Sequence, residues 1–197
     1  MGQSMASDER DVTPAGAFAG LVEELATSDD VSLTEEFRSL ELERRRIGAR
    51  MAAIVREAER RSLPVADGHR STKSWIRAHT NCGGGEANRL RKLADATDTV
   101  PGVGEALLGG HIGGGQADEL ARARANPRCG DQLPASAEML LEHAEHLSYE
   151  EFRTVVKRWE TLADLDGAQL DDDASHERRT ASVRTTPDVA GRGLDVT

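Results

Sequence analysis

The clearest pattern along the chain is a row of apolar positions at Leu33, Phe37, Leu40, Ile47, Met51, Ile54 and Ala58, with Arg44 as its one polar member. The steps alternate between four and three residues, which keeps the row on one side of an α-helix in the manner of helices that pair side by side. The row predicts a helix of about 29 residues, roughly 43 Å long at about 1.5 Å per residue. Ser32 is its expected N-cap, with Glu35 three residues on, and the pattern stops before Pro64. An apolar stripe of that length needs a partner helix, from this chain or from a second copy.

Shorter periodic segments flank it. Ala17, Phe18, Leu21, Val22 and Leu25 predict a short amphipathic helix ending near Ser28, after a polar stretch that closes at Pro14. Ser71 is placed to cap a helix carrying Trp75, Ile76 and Ala78, and Gly83–Gly85 break the pattern before a face of Ala87, Leu90, Leu93, Ala94 and Thr97. Pro101 opens a short turn with Val103, Ala106 and Leu107. Beyond Gly113–Gly115, a helix with Ala117, Leu120 and Ala121 runs to Asn126-Pro127, and Pro134 suits the first turn of a helix through Leu140 and Ala144. Ser148 and Glu151 form a capping box for a last helix whose face is Phe152, Val155, Val156, Trp159, Leu162 and Ala163. The architecture expected is all-α, about seven helices over residues 15–179, with disordered tails at 1–14 and 180–197.

Composition supports helices over strands. Only three Phe, two Trp and one Tyr occur in 197 residues, and aromatic residues are what strands favour. No apolar run reaches the roughly 18 residues of a membrane span, and the acidic N-terminus (Asp8, Glu9, Asp11) is unlike a signal peptide. The expected location is therefore the cytoplasm. The net charge of -10 conceals an asymmetry: residues 1–36 hold nine acids and one base, whereas residues 37–100 hold fourteen bases and eight acids. A basic middle can attract a polyanion locally, or can pair with the acidic segments inside one fold.

The helices expected at 71–79 and 86–97 have the size of a helix-turn-helix. On the second, Asn88, Arg89, Arg91 and Lys92 lie opposite the apolar arc, a combination suited to phosphate and base-edge contacts with DNA. The alternative is an ordinary solvated helix face. Arg44-Arg45-Arg46 points three ways around its helix, and Glu41 stands four residues before Arg45, which favours a solvated face there. His143 and His146 lack the His-Glu-x-x-His spacing of a zinc helix and suit the negative end of a helix dipole instead. Gly109–Gly115 lack the Gly-Lys-Ser/Thr of a phosphate loop, and Asp164, Asp166 and Gly167 fall short of a calcium loop. Cys82 and Cys129 are isolated. The residues offer no catalytic set, no metal set and no cofactor motif.

The series Trp75, Ala87, Ala94, Pro101, Ala106-Leu107, Gly110, Ile112 and Ala117 resembles the actinobacterial 13E12 repeat family, whose helical module is domain of unknown function 222. The later run Phe152, Trp159, Ala163–Ala168 and His176–Arg179 is similar to the end of that module. The resemblance covers roughly residues 33–179. It implies a helical module that usually precedes an HNH endonuclease domain cutting DNA with a metal ion. After Arg179 this sequence has no His-Asn-His arrangement, so the resemblance implies a truncated or split member and carries over no catalytic residue. The expected function is a non-catalytic module that positions or regulates a separate HNH nuclease domain, with weak DNA contact through Asn88, Arg89, Arg91 and Lys92. The alternative is a structural module that forms a homodimer through Leu33, Phe37, Leu40, Ile47, Met51 and Ile54. A neighbouring domain is expected to cover the apolar face around Trp159.

Overall fold

The computed structural model describes residues 14–164. The tails expected at 1–14 and 180–197 therefore lie almost wholly outside the described residues. Within them the chain is helical throughout: α1 (Pro14–Ala26), α2 (Asp30–Arg60), α3 (Leu63–Ala66), α4 (Thr72–Thr80), α5 (Gly84–Thr99), α6 (Val103–Gly109), α7 (Gly114–Arg124), a 3-10 helix (Gly130–Ser136), α8 (Ala137–His146) and α9 (Tyr149–Ala163). The all-α class is as expected, but about seven helices becomes nine α-helices among the described residues. The clearest addition is α3. Pro64 does not simply end the long helix; it sits in the first turn of a new one, where its missing N–H costs nothing. Pro134 lies within the 3-10 helix rather than opening α8, which starts at Ala137.

Helix ends follow local chemistry. Ser71 caps α4 through Ser74 in a reciprocal box, and Asn81 takes the left-handed conformation that stops it. Ser148 and Glu151 form the capping box expected of α9. For α2 the cap differs from expectation: the Asp29 carboxylate accepts from the backbone N–H groups of Val31 and Ser32, both at 2.9 Å, so the helix begins earlier than Ser32. These hydrogen bonds, that from Ser32 foremost, hold the Asp29 carboxyl below its usual range.

The chain divides into two compact units, Met1–Arg45 and Arg46–Thr197. In the second, α5 packs most extensively on α7 and α4, α7 also packs on α9, and α8 on α9. Their core is Ile76, Val100, Val103, Leu107, Ile112, Leu120, Leu133, Leu140, Phe152 and Val156, interleaved with Ala87, Ala94, Ala96, Ala117 and Ala123. Alanine at helix contacts lets neighbouring axes approach closely, so a core with few aromatic residues still buries these side chains. Trp159 itself is covered within this unit, and its indole N–H donates to Ser136 Oγ at 3.0 Å, while Leu162 of the same face is exposed. Gly130 is required by close approach: a methyl group on its Cα would overlap the Arg124 carbonyl.

Polar groups join the helices. Gln116 on α7 is buried; it accepts from Gly113 N–H and donates to the carbonyls of Ala144 and Leu147 at the end of α8. Arg122 forks onto Glu160 of α9 at 2.9 and 3.0 Å and donates to Glu119, whose other oxygen accepts from Tyr149. The carboxylate hydrogen bonds, that to Glu160 first, raise the Arg122 guanidinium above its already high ordinary value.

In the first unit, none of the described residues whose exposure is defined is buried. Phe18, Leu21 and Val22 of α1 and Val31, Leu33, Phe37 and Leu40 of α2 are all exposed. Farther along α2, within the second unit, Ala49, Ala52, Val55 and Ala58 are the residues turned inward, while Ile47, Met51 and Ile54 remain exposed. The heptad row is thus not the face by which α2 joins the core, apart from its last member, Ala58.

Candidate functional site

α4 and α5 form the helix pair expected to resemble a helix-turn-helix, but α5 does not stand clear of the fold. It buries Ala87, Leu93, Ala94 and Ala96 and lies between α4 and α7. Gly84 and Gly85, expected in the break, instead belong to its first turn, with Gly83 as N-cap. Of the four residues expected to meet DNA, Arg89 is exposed and its guanidinium lies 3.6 Å from Asp118 of α7. Asn88, Arg91 and Lys92 are each half-buried. Arg91 and Lys92 make no ion pair among the described residues.

Many other cations of the basic middle are compensated within the fold. Arg56 reaches Asp98 of α5 at 2.6 Å; outside that middle, Arg124 of α7 likewise reaches Asp131 at 2.8 Å and Thr99 Oγ1 at 3.0 Å. On α2, Glu41 accepts from Arg44 at 2.7 Å and from Arg45 at 3.1 Å, the solvated ion-pair arrangement expected of the Arg44–Arg46 run. Its carboxyl is lowered to about 2, chiefly by the hydrogen bond from Arg44. Glu57 is lowered to about 2 in the same way by Arg60 and then Arg61.

One of the isolated cysteines and one of the helix-end histidines are locally accounted for. Cys129 is buried, and burial, the first of several causes, pushes its thiol up, which keeps it protonated and unreactive. His146 donates from Nδ1 to the Glu142 carbonyl at 2.8 Å, one turn back on α8.

A different set of side chains converges at the join of α3 and α4. Among the described residues, Asp67, His69 and His79 form a group able to share one metal ion: a donor atom of each lies within 4.8 Å of the other two. Asp67 Oδ2 is 3.5 Å from His79 Nε2 and 3.8 Å from His69 Nε2. In the sequence these residues do not stand out as a set, because they are spread over thirteen positions, 67 to 79, and match no fixed motif. The available signal was Asp-Gly-His in a tight turn, followed by a histidine at the end of the next helix.

The model of the family described as Domain of unknown function (DUF222) matches residues 34–191 of this chain. That is most of its length, and the chain belongs to this family. No curated protein and no solved structure matches it. Among the described residues, no helix is long and apolar enough to cross a membrane.

Proposed function

We propose that this member of the DUF222 family is a non-catalytic helical module whose working surface is the apolar row of α2, paired with the same row of a second copy. The observation that carries this reading is exposure: Phe37 is 73% accessible, Leu40 and Ile47 56%, and Ile54 60%, on a helix with heptad spacing. Charge selects the orientation. Residues 30–43 hold five acids and one base, and residues 44–60 hold six bases and two acids. An antiparallel pair sets each acidic half against a basic half, whereas a parallel pair sets like against like. The spacing agrees, because the row reads the same in both directions about a point between residues 45 and 46. A two-fold axis there brings Phe37 to Ile54, Leu40 to Met51 and Arg44 to Ile47.

Light scattering tests the pairing: wild type is expected at twice the chain mass and Ile47→Glu at the chain mass, with an unchanged helical spectrum. A monomeric wild type at high concentration removes the reading. In a Cys82→Ser background, Phe37→Cys plus Ile54→Cys should form disulfide-linked dimers and Phe37→Cys alone should not, since only a parallel pair apposes Phe37 to itself.

A second reading is weak DNA contact at α5. Its support is that Arg91 and Lys92 make no ion pair among the described residues; against it stand the packing of α5 and the proximity of Arg89 to Asp118. In either reading the module serves to position or regulate a separate DNA-cutting HNH domain, the association that the sequence resemblance implies.

A further inference from the structure

We propose that Asp67, His69 and His79 form a binding site for a divalent transition-metal ion of the zinc type, which ties the end of α3 to the end of α4. The donor set is two imidazoles and one carboxylate, the mixture that borderline ions such as Zn2+ take up. For metal–ligand bonds of about 2.0–2.1 Å, tetrahedral geometry separates neighbouring donors by roughly 3.3 Å. The Asp67–His79 and Asp67–His69 separations of 3.5 and 3.8 Å are already close to that edge. The two histidine donors lie within 4.8 Å of each other, so side-chain rotation closes the set on an ion, and three protein ligands leave the fourth position to water.

The surroundings orient each ligand. His79 donates its Nδ1–H to the Trp75 carbonyl at 2.9 Å, which leaves the Nε2 lone pair of the neutral ring directed to Asp67. An imidazole fixed by a backbone carbonyl on one nitrogen and directed at the ion with the other is the usual arrangement around ligating histidines. The Trp75 ring lies against the same imidazole, centroids 4.8 Å apart, and restricts its rotation. Asp67 and His69 are held by the turn between them. Asp67 N–H donates to Leu63 O at 2.9 Å and His69 N–H to Pro64 O at 2.8 Å, while Gly68 adopts φ +78°, a conformation that glycine takes without strain. The two residues therefore project from one rigid turn toward the end of α4. The three side chains are a quarter to a half accessible, which lets an ion reach them from solvent.

A contact of protonated histidines with the carboxylate has the same geometry, and saturable metal binding is what separates the two.

The test is calorimetric titration of the tag-free full chain, treated with chelator, with Zn2+, alongside absorption spectra with Co2+. One equivalent of Zn2+ and the visible ligand-field band of tetrahedral Co2+ are expected. His69→Ala and His79→Ala should each weaken binding by at least about tenfold and remove the band. Asp67→Asn keeps size and turn geometry and should also weaken binding, which guards against a folding defect in the histidine variants. Absence of saturable binding, or binding unchanged in all three variants, overturns the site.

Discussion

Individual side chains settle several junctions of this fold, and Gln116 shows how. A buried amide is tolerated only when its donors and acceptor are all used, and here both ends are: Gly113 N–H on the oxygen, and the Ala144 and Leu147 carbonyls on the nitrogen. It thereby fixes the start of α7 against the end of α8. Gln116→Leu keeps the volume but strands those polar groups, and we expect it to lower unfolding stability by about 1–3 kcal/mol in urea titration. An unchanged midpoint would show that solvent replaces the amide. Nothing in the sequence marks Gln116 as buried, because its neighbours Gly115 and Asp118 suggest a polar helix face. The two carbonyls that accept from it lie 28 and 31 residues away.

At the scale of a helix, α2 is held partly by its own charges. Glu41 and Glu57 each receive hydrogen bonds from two arginines and have carboxyls lowered to about 2 from an ordinary 4.5. A carboxyl whose value is depressed in the folded state adds stability above its ordinary value, and that contribution is lost as pH falls through the folded value. The gap in melting temperature between wild type and Glu41→Gln plus Glu57→Gln should therefore be full above about pH 4.5 and should close toward pH 2. A gap independent of pH in that window would mean that the pairs add nothing to folding. Both carboxylates are open to solvent on one side, being only half-buried, so the gap is expected to be small and to shrink with added salt. The ion pair of Glu41 with Arg45 was legible from spacing alone, as were the cap at Ser71 and the box at Ser148, because each depends on residues within one helical turn. The cap of α2 was misplaced by the same kind of reading. Ser32 has a glutamate three residues on, but Asp29 offers a carboxylate to two N–H groups at once, which outweighs a single hydroxyl.

For the molecule as a whole, the open matter is which surfaces meet a partner. Phosphate contact through α5 predicts retention of duplex DNA at low salt, falling steeply as salt rises and weakened by Arg91→Ala plus Lys92→Ala, since each such contact releases counterions. Equal retention by the variant and wild type would remove α5 from consideration. The pattern along the chain determined the helical class, the extents of most helices and the heptad row, since these rest on periodicity and short-range chemistry. It did not determine which of two stripes on α2 turns inward. The row of larger side chains was the stronger pattern, yet the smaller stripe Ala49, Ala52, Val55 and Ala58 is the one packed in the core, leaving Ile47, Met51 and Ile54 outside. Likewise, only the tertiary structure decided that Arg89 faces an acid of α7, and that Asp67, His69 and His79 meet. Such facts depend on distances between elements, which sequence spacing encodes only through the packing of the finished core.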